Sequence, residues 1–222
     1  MRTRVKMCGF TRIEDIDAAV QAGADALGFV FYPKSQRYLR PEQARLLAQH
    51  VPAFVQTVAL FVNPTPAFVQ TVIQQMQPDL LQFHGEESVA FCESFAYPYI
   101  RAFRVGAPDL DTPTKIVQQC RRYASAKGWL FDSYTPAYGG SGVRFDDDLL
   151  EALHAQHRPQ DPPLILAGGI RHHNVLAQIQ RHHPFAVDVS SAIEDAPGIK
   201  NAEKIQQFMR IMNQSPFQQS DE

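Results

Sequence analysis

The sequence predicts an α/β fold, a single (β/α)8 barrel of the TIM type, and three observations carry that reading. Short β-branched or apolar runs alternate with longer amphipathic stretches, eight of each, which is the pattern of parallel strands joined by crossover helices. Eight units over 222 residues leave about 28 residues per unit, near the minimum for a strand, a helix and two loops. Little chain remains for a second domain. A doubly wound sheet usually has fewer strands and a glycine-rich turn after the first, whereas here that turn reads Cys8-Gly9-Phe10-Thr11.

Taken in order, the expected strands are Arg4 to Met7, Ala26 to Val30, Gln56 to Phe61, Leu80 to Phe83, Tyr99 to Phe103, Trp129 to Phe131, Leu164 to Ala167 and Ala186 to Val189. The expected helices are Ile13 to Gln21, Pro41 to His50, Pro66 to Met76, Ser88 to Phe95, Thr112 to Tyr123, Asp146 to Ala155, Asn174 to His182 and Asn201 to Met212. Thr11 and Glu14 have the spacing of a capping box. Thr65-Pro66 puts a capping hydroxyl before a proline at the first helical position, and Gly23 follows the first helix where a left-handed residue closes it. The barrel domain is expected over 1–212, with a frayed tail over 213–222.

Charge narrows the partners. Lys+Arg total 21 against Asp+Glu 23, a formal net charge of −2, which leaves no basic excess for a run of nucleic-acid phosphates. A small anionic ligand remains compatible. Cys8, Cys92 and Cys120 are too few and too scattered for a disulfide framework or a structural zinc site, which fits a reducing compartment. With no apolar signal core and apolar runs no longer than Val58 to Val62, a cytoplasmic protein without a membrane partner is expected.

In such a barrel the chemistry sits at the C-terminal strand ends. The last two loops there suit a phosphate: Gly168-Gly169 lets backbone approach an anion, and Ser190-Ser191 adds hydroxyls and N–H groups. Gly-Gly alone more often makes only a turn, but both loops at these positions favour phosphate. Cys8 after the first strand is a candidate base, provided a cation lowers its pKa. Strand parity puts Lys6 on the same face, below Cys8, and a buried Lys6 needs a partner, for which Asp188 on the neighbouring eighth strand is the choice. Asp132 ends the sixth strand before a loop containing Gly139-Gly140-Ser141-Gly142. Shielded by that loop, its carboxyl could hold a proton and act as general acid, although a turn-capping role is equally compatible with the pattern. Gln82 and His84 share a face and should line the mouth. Cys92 and Cys120 read as small buried hydrophobes, and the pairs His172-His173 and His182-His183 read as solvated surface histidines without a metal.

Six short motifs in order then resemble one family. Lys6-Met7-Cys8-Gly9, Gly28 to Phe31 with Ser35-Gln36-Arg37-Tyr38, Leu81-Gln82-Phe83-His84-Gly85, Phe131-Asp132 with the glycine cluster, Leu166 to Ile170, and Asp188 to Ser191 with Pro197-Gly198-Ile199-Lys200 resemble the phosphoribosylanthranilate isomerases of tryptophan biosynthesis. The resemblance spans Lys6 to about Met212. It implies a cofactor-independent Amadori rearrangement of N-(5-phosphoribosyl)anthranilate to 1-(2-carboxyphenylamino)-1-deoxyribulose 5-phosphate, with Cys8 as general base and Asp132 as general acid. The substrate is then a small phosphorylated aromatic amino-sugar, Arg37 holds the anthranilate carboxylate, and the chain works as a monomer or homodimer. Three positions depart from the family pattern: Ala192 stands where glycine is expected, Val143-Arg144 replaces the usual lysine, and Asp147 occupies a frequent tryptophan position. Two other readings fit the same fold: a metal-dependent phosphopentose epimerase, which would want several inward histidines and carboxylates, and a phosphate-sensing barrel without turnover.

Overall fold

The structure is a computed structural model and describes residues 2–133 and 148–214. Eight parallel strands close into a barrel in chain order: β1 (Arg4–Cys8), β2 (Ala26–Val30), β3 (Gln56–Phe61), β4 (Leu80–Phe83), β5 (Tyr99–Val105), β6 (Gly128–Ser133), β7 (Leu164–Leu166) and β8 (Ala186–Val189). The ring is completed by β8 pairing with β1. The helices are α1 (Ile13–Ala22), α2 (Pro41–Ala48), α3 (Pro66–Met76), α4 (Val89–Glu93), α5 (Pro113–Arg122), α6 (Asp148–Gln156), α7 (Val175–His182) and α8 (Ala202–Asn213). This is the expected (β/α)8 barrel. Asn213, placed in the tail by the sequence, belongs to α8, and the rest of that tail beyond Gln214 lies outside the described residues.

Helix starts follow local chemistry with one correction. The hydroxyls of Thr65, Ser88 and Thr112 and the side chain of Asn201 each accept from a backbone N–H in the first turn of the helix that follows. Gly23 closes α1 in the left-handed conformation, at φ 91°. Thr11, however, does not cap α1. The N-cap is Arg12 without a side-chain bond, and the Thr11 hydroxyl donates instead to the carbonyl of Gly198. A tertiary acceptor has replaced the local one.

Strand alternation divides the core in two. Outward residues such as Val5, Met7, Leu27, Phe29, Phe61, Leu81, Phe83 and Phe131 pack under the helices in the main cluster. Phe31, Phe61 and Phe83 stack from strand to strand with centroids 5.4 and 6.1 Å apart. Burying each such ring contributes roughly 1.5–3 kcal/mol. Inside, Ile100, Ala102, Leu130, Ile165, Ala167 and Ala186 fill the barrel, and a separate small cluster of Cys8, Val30, Leu60 and Val62 with Tyr32 lies at its mouth.

Two features were not read from the sequence. The β8–α8 connection holds a 3-10 turn (Ser191–Ile193) and an antiparallel pair, β9 (Glu194–Ala196) and β10 (Ile199–Lys200). Pro197-Gly198 between them, with Gly198 at φ 82°, is the sequence signal of such a turn. His182, expected on the surface, is 2% exposed. It lies on the buried face of α7 with Val175, Gln178 and Ile179, which the apolar spacing of that helix permits.

Candidate active site

At the C-terminal mouth, a cleft open to solvent is lined by Cys8, Arg37, Gln82, His84, Asp132, Gly168, Gly169, Asp188, Ser190 and Ser191. These are the sequence-nominated site residues apart from Lys6, which sits one layer lower. The barrel brings together residues from β1, β4, β6, β7 and β8 that lie far apart in the chain. Cys8 is the last residue of β1 and Asp132 the fifth of six in β6, so both are fixed by ladder bonds rather than carried on loops. With β1 and β6 three strands apart in a ring of eight, thiol and carboxylate project into the mouth from opposing walls.

Beneath Cys8, Lys6 and Asp188 are register partners, and Lys6 Nζ donates to both carboxylate oxygens at 2.9 Å. Their side chains are 4% and 10% exposed. Burial is the largest influence on the Lys6 ammonium and works against it, but the charges and hydrogen bonds of Asp188 and Cys8 together outweigh it and raise the Lys6 pKa. The expected lowering of the Cys8 pKa is not found. Burial pushes the thiol up and Asp188 adds to the push, while Lys6 and Lys200 pull it down, and the balance stays above the ordinary thiol value. Gly28, the register partner of Cys8, makes room for the thiol: a Cβ there would stand 2.6 Å from Sγ.

On the facing wall, Asp132 is held at both oxygens. Oδ1 accepts from the backbone N–H of Ser133 at 2.8 Å, and Oδ2 lies 3.1 Å from His84 Nε2. His84 Nδ1 in turn lies 3.2 Å from Gln82 Nε2. This chain accommodates either form of the carboxyl. With Asp132 ionised, Nε2–H donates to it and Nδ1 accepts from the Gln82 amide. With Asp132 protonated, the carboxyl donates to Nε2, and Nδ1–H then needs the Gln82 amide turned over so that its oxygen, a buried atom with no partner among the described residues, faces the ring. His84 is placed by a support the sequence reading missed. Buried Arg101 donates to the carbonyls of Phe83 and Gly85 and to Glu87, whose carboxylate also accepts from the N–H groups of Asn63 and Gly85. A charged residue at an outward strand position, Arg101 between Tyr99 and Phe103, was the available signal.

At the β7 and β8 ends, Gly168 and Gly169 have φ of 65° and 71°, which side chains disfavour. A Cβ on Gly168 would also stand 2.8 Å from Asp132 Oδ1, so this glycine serves the acid as well as its own loop. The Ser190 hydroxyl corrects an expectation: it donates to the carbonyl of Cys8 at 2.9 Å, so this proton is not free for an anion. Ser191 opens the 3-10 turn. Ala192 sits within that turn without left-handed backbone, so the position does not require glycine. Arg37 reaches the cleft, but Nε and Nη2 already bind Glu194 at 2.9 and 2.5 Å. The glycine cluster with Val143, Arg144 and Asp147 lies outside the described residues.

The sequence also did not show an apolar wall, in which Val30, Tyr32, Leu60 and Val62 line the β2–β3 side next to Cys8 and Arg37. Among the described residues no group of three or more His, Cys, Asp or Glu could hold a metal ion. No described helix is long and apolar enough to cross a membrane.

A family profile described as N-(5'phosphoribosyl)anthranilate (PRA) isomerase matches residues 5–211. The N-(5'-phosphoribosyl)anthranilate isomerase of Bordetella pertussis is 55% identical over 209 residues, covering 94% of this chain and 95% of that one. Its counterpart from Pseudomonas putida is 46% identical over 213 residues, covering 96% and 98%. The crystal structure of phosphoribosyl anthranilate isomerase from Thermotoga maritima superposes with a TM-score of 0.83 at 38% identity, over 95% of this chain and 98% of that one. A second crystal structure of such an isomerase, in complex with reduced 1-(o-carboxyphenylamino)-1-deoxyribulose 5-phosphate, gives 0.80 at 35% identity and the same coverage. The profile match, these identities and the shared barrel agree: the chain is an isomerase and belongs to the phosphoribosylanthranilate isomerase family.

Proposed function

We propose that the chain, acting through a barrel domain over 1–212, converts N-(5-phosphoribosyl)anthranilate to 1-(2-carboxyphenylamino)-1-deoxyribulose 5-phosphate, with Asp132 as general acid and Cys8 as general base. The carrying observation is the make-up of one cleft. Glycine and serine loops follow β7 and β8, an apolar wall and Arg37 come from the β2–β3 side, and Cys8 and Asp132 enter from β1 and β6. Phosphate takes the glycine and serine loops, and the aromatic ring with its carboxylate takes the apolar wall and Arg37. The sugar is then left beside the thiol and the carboxyl.

Asp132 donates its proton to the ring oxygen as the C1′–O bond breaks, which leaves an iminium at C1′. Cys8 as thiolate takes the C2′ proton, and the electron pair forms the C1′–C2′ double bond of an enolamine. Tautomerisation returns a proton to C1′ and releases the enol proton, so both groups regain their starting states. The raised Cys8 pKa suits this order, because the positive iminium beside the thiol favours its ionised form when the proton must move.

The test is freshly made phosphoribosylanthranilate, followed by loss of its anthranilate fluorescence with EDTA present. Turnover under chelation is expected. Binding without conversion would instead support the phosphate-sensing barrel, and conversion abolished by EDTA would overturn the cofactor-independent mechanism.

A further inference from the structure

Arg37 and Glu194 have a third member beside them. Lys200, the last residue of β10, has a fully buried side chain whose Nζ donates to Glu194 Oε1 at 2.7 Å and to the backbone carbonyl of Cys8. Glu194 is itself 4% exposed and takes a further bond from the N–H of Gly198 at 3.2 Å. Two cations therefore share one carboxylate. Burial alone would push the Glu194 carboxyl up, but the hydrogen bonds from Arg37 and the charge of Lys200 hold it below the usual carboxylate range. Glu194 is therefore held as an anion; burial lowers the Lys200 pKa against the attraction of Glu194, and with Lys200 as the ammonium that its bonds to Glu194 and the Cys8 carbonyl call for, the three groups sum to one positive charge.

The geometry gives that charge a direction. Glu194 occupies the Nε–Nη2 edge of the guanidinium, and Nη1 makes no hydrogen bond among the described residues. The stem of Arg37 rests on Gly9, where a Cβ would collide with Cδ and where φ of 90° already favours glycine. With its Nε–Nη2 edge taken by Glu194 and its stem packed on Gly9, Arg37 has Nη1 left uncommitted at the cleft that it lines. Without Lys200, the Arg37–Glu194 pair would be neutral, and an arriving carboxylate would meet the negative charge of Glu194 without net attraction.

We propose that Glu194 and Lys200 are positioning residues for the substrate carboxylate: Glu194 fixes which edge of Arg37 faces the cleft, and Lys200 restores the positive charge that Glu194 cancels. This rests on the reading of the cleft as the site of a carboxyl-bearing aromatic substrate anchored by Arg37. Neither residue need touch the substrate. Both act through Arg37.

Steady-state kinetics with phosphoribosylanthranilate, with inorganic phosphate as competing inhibitor, tests the assignment. Lys200→Met should raise KM about tenfold with a smaller change in kcat, while the inhibition constant of phosphate stays put. Glu194→Asp keeps every charge but shortens the arm, and should also raise KM. The double variant Glu194→Gln with Lys200→Met leaves Arg37 as one unopposed positive charge, so its KM should fall below that of Lys200→Met alone. A purely structural role predicts the reverse, a double variant worse than either single. That result, or an unchanged KM in Lys200→Met, or equal loss of phosphate affinity, would overturn the proposal. Should Lys200→Met fail to fold, Glu194→Asp carries the decision, and an unmoved KM there is fatal. Arg37→Leu separates the two layers of argument. If its KM is unmoved, the carboxylate assignment itself fails, whereas a raised KM there with none in Lys200→Met and Glu194→Asp defeats only the positioning role.

Discussion

The two walls of the barrel mouth are held by different physics. On the β8–β1–β2 side, Lys6, Asp188, Arg37, Glu194 and Lys200 form ion pairs at 2.5–2.9 Å with side chains no more than 15% exposed. On the β4–β6 side, Gln82, His84 and Asp132 form a hydrogen-bonded chain at 3.2 and 3.1 Å, with His84 and Asp132 13% and 20% exposed. Buried charge pairs have one good arrangement, and losing either partner strands the other. A hydrogen-bonded chain through an imidazole can be drawn with the proton on either side of the ring. The frame around Cys8 is therefore held by charges, and the frame around Asp132, the proposed acid, by hydrogen bonds alone.

Removing the reacting group from either wall should give the largest effect and tests whether the walls hold separate roles. Cys8→Ser and Asp132→Asn should each lower kcat by about 10²–10⁴ while affinity for a reduced product analogue changes little, because each acts on a proton in flight. Comparable turnover in either variant would move that role elsewhere.

Much of this frame was legible in the sequence. Four of the eight strands begin and end at the expected residues, because each is a short apolar or β-branched run between amphipathic stretches. Lys6 opposite Asp188 followed from parity and barrel closure alone. What escaped was set by tertiary partners. Arg101 stood out locally as a charge inside a strand run, but nothing local pointed to Glu87 as its partner or set Glu194 and Lys200 apart from ordinary surface charges, since each pair exists only when the barrel closes. The sign of the Cys8 shift was missed for the same reason: the sequence showed the nearby cation but not the depth of burial that outweighs it.

Stability should separate the walls next. Asp188→Ala strands the Lys6 ammonium and should cost about 3–5 kcal/mol in urea unfolding. His84→Ala leaves Asp132 its bond from Ser133 and should cost about 1 kcal/mol. Lys6→Met combined with Asp188→Leu should recover most of the Asp188→Ala loss. Equal costs for the two single variants would mean that the walls do not differ as their contacts indicate.

A pH profile sharpens the contrast on the base side. With the Cys8 pKa raised, the free enzyme carries little thiolate at neutral pH, so kcat/KM should climb with pH into the range above the ordinary thiol value. Lys6 pulls the thiol down, so Lys6→Met should move that limb to still higher pH. A limb that does not move in the folded variant would remove the electrostatic link between Lys6 and Cys8.

The smallest effect concerns the three cysteines as reporters of which wall a small molecule reaches. All three are buried and all are raised by burial, Cys92 to about 12, so iodoacetamide should label none of them quickly at neutral pH. Only Cys8 lines the cleft, and it retains 6% exposure where Cys92 and Cys120 have none. Cys8 should therefore be alkylated first and gain most from raising the pH, because its thiolate has Lys6 and Lys200 within reach. A reduced product analogue should protect it by filling the cleft, and activity should fall in step with its modification. Peptide mapping by mass spectrometry reads all three sites in one sample. Faster labelling of Cys92 or Cys120, or full activity after Cys8 is alkylated, would show that the wall holding the base is not the wall on which turnover depends.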